Sequence, residues 1–350
     1  MTTSPKHEMR VHVDWRIPLA ADHPWDNHPR ELGGVVVSPA GDLLVTSSKG
    51  WVYRVDPSSG EPRWSVPLDG AVEAPAVIAG SQVLLGTDVG ELLSLDWRTG
   101  QTNWRFATRG SVESTATIAG GVAYFFDSND VLYAVDINQG ELLWEYYRGT
   151  PEFFTIKGSG SPLVETDVIY AGFADGVIAA LSRAQGEVLW EAYLGDDSGE
   201  FGDIDLPIVA DRGRLFTASH AGGVYALEQS TGAILWHLPV DGVVALEYLD
   251  GFLVGATATG RVFALAAGTG EPLWNRRLHE EVSPMGIAQV NGLLALPVAQ
   301  GPMYWLRLRD GFVVTRWNPG PGFQRAPVFD GERGYALSNR GFLYGFRLAM

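Results

Sequence analysis

The chain has 350 residues, 41 acidic against 25 basic, for a formal charge of −16, with 12 tryptophans and no cysteine. The lack of cysteine excludes disulfides, thiolate metal ligands and lipid attachment through a thiol. The acidic balance is spread along the chain; it repels phosphate backbones and anionic lipid, which argues against nucleic-acid binding and favours basic partners or cations.

In chain order, the opening MTTSPKHEMR is polar, lacks an apolar signal core and reads as a flexible tail over residues 1–10. No apolar run reaches the roughly 18 residues of a membrane-span candidate, so a cytoplasmic chain is expected, or a periplasmic one if a leader has been trimmed. Residues 11–19 (VHVDWRIPL) read as a strand resembling RWSVPL at residues 63–68, with no inner phrase before it. From residue 31 a single phrase then recurs, closing on a glycine four residues before a tryptophan: Gly60/Trp64, Gly100/Trp104, Gly140/Trp144, Gly186/Trp190, Gly232/Trp236 and Gly270/Trp274. A period of about 40 residues signals an array of supersecondary units.

Within the second unit, residues 71–78, 82–87, 91–96 and 102–107 are short β-branched or aromatic runs separated by Ala-Gly, Val-Gly and Thr-Gly. This predicts four antiparallel strands per unit. The seventh unit keeps Gly311 but puts Thr315 at the tryptophan position, with Trp317 two residues on. The last unit runs out at Met350 without an outer strand, and residues 11–19 supply one. The expected fold is therefore all-β, an eight-bladed propeller of four-stranded antiparallel blades whose ring is closed by the amino-terminal strand. The expected blades are residues 31–68, 71–107, 112–148, 159–194, 205–240, 242–278, 282–318, and 325–348 with 11–19, in one domain spanning 11–350. Trp15, Trp64, Trp104, Trp144, Trp190, Trp236 and Trp274 are expected to pack blades together, since recurrence at one repeat position implies a common mechanical role.

This phrase resembles the PQQ-like, quinoprotein-type β-propeller repeat, in which an outer-strand tryptophan docks between neighbouring blades. The resemblance covers nearly the whole chain and is specific for the fold. Members include quinone-dependent dehydrogenases, the BamB-type scaffold of outer-membrane assembly, and sensor domains, so the resemblance leaves function to be argued from a site. The BamB-type pattern brings a signal peptide and a lipidated cysteine, and this sequence shows neither, so the chain looks BamB-like without the lipoprotein signal. The dehydrogenase pattern brings an adjacent cysteine pair, a tryptophan platform and long insertions; with the cysteines missing, no catalytic residue carries over.

Function is expected where the connections between units lengthen, because loops on a rigid scaffold carry binding. Residues 20–32, 147–161 and 195–206 are expanded and should share one mouth of the channel. Trp25, Phe153 and Phe154, with Ile156 and Phe201, either form an apolar contact patch or fold back to plug the channel. Asp196, Asp197, Asp203 and Asp205 form an acidic loop, a candidate calcium site whose spacing does not match an EF-hand, or a solvated loop. Glu73, Glu113, Asp205 and Arg325 each open an inner strand, in EAP, EST, DLP and RAP, and are expected either to ring the mouth or to cap backbone donors. His23 and His28 match no metal motif. The resulting expectation is a monomeric, non-catalytic scaffold that holds a protein partner, one of basic character, through Trp25, Phe153, Phe154, Asp197 and Asp203. No cofactor is predicted; the alternative is a small ligand, calcium or quinone in the channel.

Overall fold

The computed structural model describes residues 9–19, 30–149, 160–195, 203–278, 282–320 and 322–349. Every regular element in it is a strand, and the strands form eight antiparallel sheets of four. Seven sheets are built from consecutive strands. Blade 3, for example, runs Thr117–Ala119, Val122–Phe126, Val131–Asp136 and Leu142–Tyr147 from the channel outward. In blade 8, Val328–Asp330, Arg333–Leu337 and Phe342–Ala349 are joined by Arg10–Pro18, which pairs from Arg10↔Ala349 to Pro18↔Phe342. Two residues of the expected tail therefore belong to this blade: Arg10 begins the strand, and Met9 is 7% exposed in a cluster with Trp305, Phe323 and Phe346.

Alternation along each middle strand feeds two neighbours at once. In blade 2, Val83, Leu85, Leu93 and Leu95 join the cluster shared with blade 1, while Leu84 and Leu92 join the one shared with blade 3. Eight apolar clusters result, one at each blade junction, and the one uniting Tyr335, Leu337 and Leu343 with Val35, Leu43 and Val45 closes the ring.

A second device ties neighbouring blades at their rims. The indole N–H groups of Trp15, Trp64, Trp104, Trp144, Trp190, Trp236 and Trp274 donate to the carbonyls of Pro57, Trp97, Ile137, Arg183, Gln229, Ala267 and Leu308 of the next blade, at 2.8–3.2 Å. Three residues after each carbonyl stands the phrase glycine, at φ between +65° and +79°. A Cβ on Gly232 would come within 2.5 Å of the Trp190 ring. The glycine thus serves two needs together: a left-handed turn, and a flat seat for the indole.

The eighth junction lacks this seat. Thr315 lies opposite Trp305, where the other blades place the tryptophan. The turn that would receive a tryptophan there joins the third and fourth strands of blade 8, and those strands come from opposite ends of the chain. Trp317 packs instead on Phe323, Tyr344 and Phe346, with ring centroids 5.6, 5.3 and 5.0 Å away.

Candidate functional site

The innermost strands of blades 1, 2, 3 and 5 begin at Val35, Val77, Thr117 and Val209. Four residues before each stands an acidic residue: Glu31, Glu73, Glu113 and Asp205. Glu73, Glu113 and Asp205 are half-buried, whereas Glu31 is 2% exposed. The Glu31 carboxylate accepts from the Gly33 and Ser48 amides at 3.0 and 2.7 Å and from the Ser47 hydroxyl at 2.7 Å, so it anchors the first turn of blade 1. Sequence reasoning passed over Glu31 because Gly33 stands two residues after it, where its equivalents carry Pro75, Thr115 and Pro207. Counting back from the strand start would have found it.

One arc of the mouth gathers charge. Burial raises the Glu73 pKa, the nearby carboxylates of Glu113, Asp88 and Glu31 push it further, and Arg325 pulls it back. Arg325 reaches from blade 8 over blade 1 to blade 2, donating Nε to the Leu32 carbonyl at 2.9 Å and a terminal nitrogen to the Glu73 carbonyl. Burial lowers its own pKa, with Glu73 opposing. Arg325 stands three residues before its strand rather than four, so the alignment of RAP with EAP is off by one, and the guanidinium is engaged with backbone as a tie between three blades.

Asp205 sits apart from that arc. Burial pushes its carboxyl up to about 6, Asp203 adds to the rise, and its own backbone and His220 counter it. Asp203 is 1% exposed. Among the described residues no group of three or more His, Asp or Glu side chains is arranged to hold a metal ion, so Asp203 and Asp205 do not by themselves make a calcium site. Trp25, Phe153, Phe154, Ile156, Phe201, Asp196, Asp197, His23 and His28 lie outside the described residues. Sequence reasoning also missed Glu247, in the innermost strand of blade 6, whose carboxyl burial alone lifts to about 7. Its signal was a lone acid in the apolar run VVALEYL. Glu73 therefore lies within electrostatic reach of Glu113, Asp88 and Glu31, with Arg325 as the cation among them.

Comparison with known families places this arrangement. The family model described as outer membrane protein assembly factor BamB matches residues 13–83, 48–276 and 202–318. This chain belongs to the BamB family. The BamB-family chain is 32% identical over 344 residues to the outer membrane protein assembly factor BamB of Legionella pneumophila, covering 96% of this chain and 88% of that one. The crystal structure of BamB from Moraxella catarrhalis superposes with a TM-score of 0.82 at 21% identity, over 97% of this chain and all of that chain (100%). A quinohemoprotein alcohol dehydrogenase from Pseudomonas putida HK5 superposes at 0.75 with 14% identity, over 96% of this chain and 76% of that one, which shows a shared fold and no more. Membership of the BamB family overturns the expected cytoplasmic location, since these relatives are assembly factors of the outer membrane. The polar opening and the lack of a long apolar run, on which that expectation rested, do not by themselves fix a compartment. Among the described residues no helix is long and apolar enough to cross a membrane.

Proposed function

We propose that this BamB-family chain is a non-enzymatic scaffold in outer membrane protein assembly, acting as a single ring that holds a basic protein surface against its acidic channel mouth. Family membership carries the reading. The electrostatics of the mouth support it: Glu73 and Glu113 face a partner from one arc and Asp205 from another, while Arg325 is occupied by two backbone carbonyls. The three long connections that begin blades 1, 4 and 5 supply apolar anchors, with Phe153, Phe154 and Trp25 as contacts and Asp197 as flanking charge; Asp203, expected to join them, is 1% exposed and is left out of the contact set. A rigid ring suits this work, because a partner docks without the scaffold paying to order itself.

The test is in-cell cross-linking of the tagged chain to the outer membrane assembly machinery, for wild type and for Phe153→Asp combined with Phe154→Asp. The variant is expected to lose the cross-link while keeping its melting temperature. A retained cross-link would move the interface off this mouth.

A further inference from the structure

The rim of the ring carries a second asymmetry, remote from the mouth. Each outermost strand has a bulge next to its tryptophan position, and the extra residue there is Asp14, Arg63, Asn103, Leu143, Leu189, Leu235 and Leu273 in blades 8 and 1 to 6. In blades 8, 1 and 2 this residue is polar and held within its own blade: Asp14 by Arg347 at 2.8 Å, Arg63 by Asp56 at 2.8 Å, Asn103 by Ser94 at 3.2 Å. In blades 3 to 6 it is leucine, 53%, 55%, 48% and 47% exposed. Leu142, Val188 and Ile234, one residue earlier, are 45%, 44% and 49% exposed. Scattered apolar residues are ordinary on a surface, but a contiguous arc of them marks contact.

The same arc leaves its backbone edge open. Each outermost strand ends its sheet, with a ladder partner on one side only. Free edges are normally blunted by proline or by basic side chains. Blade 1 has Pro62 and Pro67, blade 2 Arg105, blade 6 Pro272 with Arg276 and Arg277, blade 7 Arg316 and blade 8 Arg10 and Arg16. Leu142–Tyr147 and Val188–Tyr193 have none; their charged residues are Glu145 and Glu191, paired with Arg109 and Arg148. Between blades 3 and 4 a cleft of about 480 Å³ opens beside this edge, walled by Tyr124, Leu143 and Trp144 on one side and by Asp167 and Arg183 on the other. Arg183 is pinned there, Nε to the Tyr124 hydroxyl at 3.2 Å and Nη1 to the Thr166 carbonyl at 2.8 Å, so it fixes the cleft's far wall.

We propose that the edge of Leu142–Tyr147 binds an extended segment of a partner protein, in which apolar residues alternate with lysine or arginine, by adding it as a fifth strand with one apolar side chain in the blade 3–4 cleft. Main-chain pairing supplies affinity in such additions and the pocket supplies selectivity. Charge selects the partner. Glu141 and Glu187 stand immediately before the two apolar strands, and the chain carries −16 overall. Like charge opposes a second copy on this edge, and basic residues relieve it.

The probe is a labelled peptide of about eight residues alternating leucine with lysine, titrated into the full chain by fluorescence anisotropy. Saturable binding is expected, weakened by about tenfold or more in Leu143→Glu with Leu189→Glu and unchanged in Asn103→Glu, which sits at the equivalent bulge of blade 2. A peptide of the same composition with a central proline should bind at least about tenfold more weakly, since it cannot complete the ladder. Equal binding of the proline peptide or of a leucine–glutamate peptide, or unchanged binding to the leucine variant, would overturn the proposal. So would a concentration-dependent dimer abolished by Leu143→Glu, which would assign the edge to a second copy.

Discussion

The seat between Trp190 and Gly232 makes a quantitative demand on the inter-blade clasp. Gly232 lies at φ +73°, and a Cβ there falls 2.5 Å from the Trp190 ring. Gly232→Ala then combines about 1–2 kcal/mol for a left-handed alanine with about 1–3 kcal/mol for the forced overlap. Trp190→Ala costs toward the low end of the about 3–5 kcal/mol of a truncated aromatic, because Trp190 is only half-buried. With the indole gone the overlap vanishes and only the backbone cost of alanine survives. The double variant should therefore be about 1–3 kcal/mol more stable than the sum of the single losses. Urea unfolding of the four proteins, followed by far-ultraviolet circular dichroism, measures this directly. Additivity within about 0.5 kcal/mol would refute the seating argument.

Deleting residues 1–20 removes the strand that pairs with Phe342–Ala349, together with Met9 and Trp15, and should lower the melting temperature sharply; an unchanged melt would refute closure by that strand. Glu247 sets a pH dependence: burial raises its carboxyl to about 7 in the folded ring, so its contribution is fully present below the unfolded carboxyl pKa and is lost as pH rises through about 7. Glu247→Gln should flatten stability against pH between about 4.5 and 7, measured by urea midpoints, while an identical slope would assign the titration to other groups.

The fold was legible because each phrase spells both halves of a contact: the tryptophan that docks and the glycine that receives its neighbour's tryptophan. The one degenerate phrase is informative for the same reason, since Thr315 stands where no receiving turn exists. The mouth was less legible. Glu31 hid because Gly33 replaces the proline or threonine that follows its equivalents, and Arg325 was read by local resemblance although one residue of offset sends its side chain to backbone carbonyls. Glu247 needed three-dimensional burial to become notable. The leucines of the rim drew no notice in sequence, where they are ordinary apolar neighbours of tryptophan in a strand; only the bulge, which breaks alternation by one residue, sets them apart.

The pairing of Arg10–Pro18 with Phe342–Ala349 also sets an order of events during folding. The first of the described strands must wait for the last one, the longest loop closure among them. Until then Trp15 has no ladder to lie on, and the aromatic face formed by Trp305, Trp317 and Phe346 is incomplete. A nascent or truncated chain is thereby marked by exposed aromatic surface, the feature that chaperones and proteases recognise.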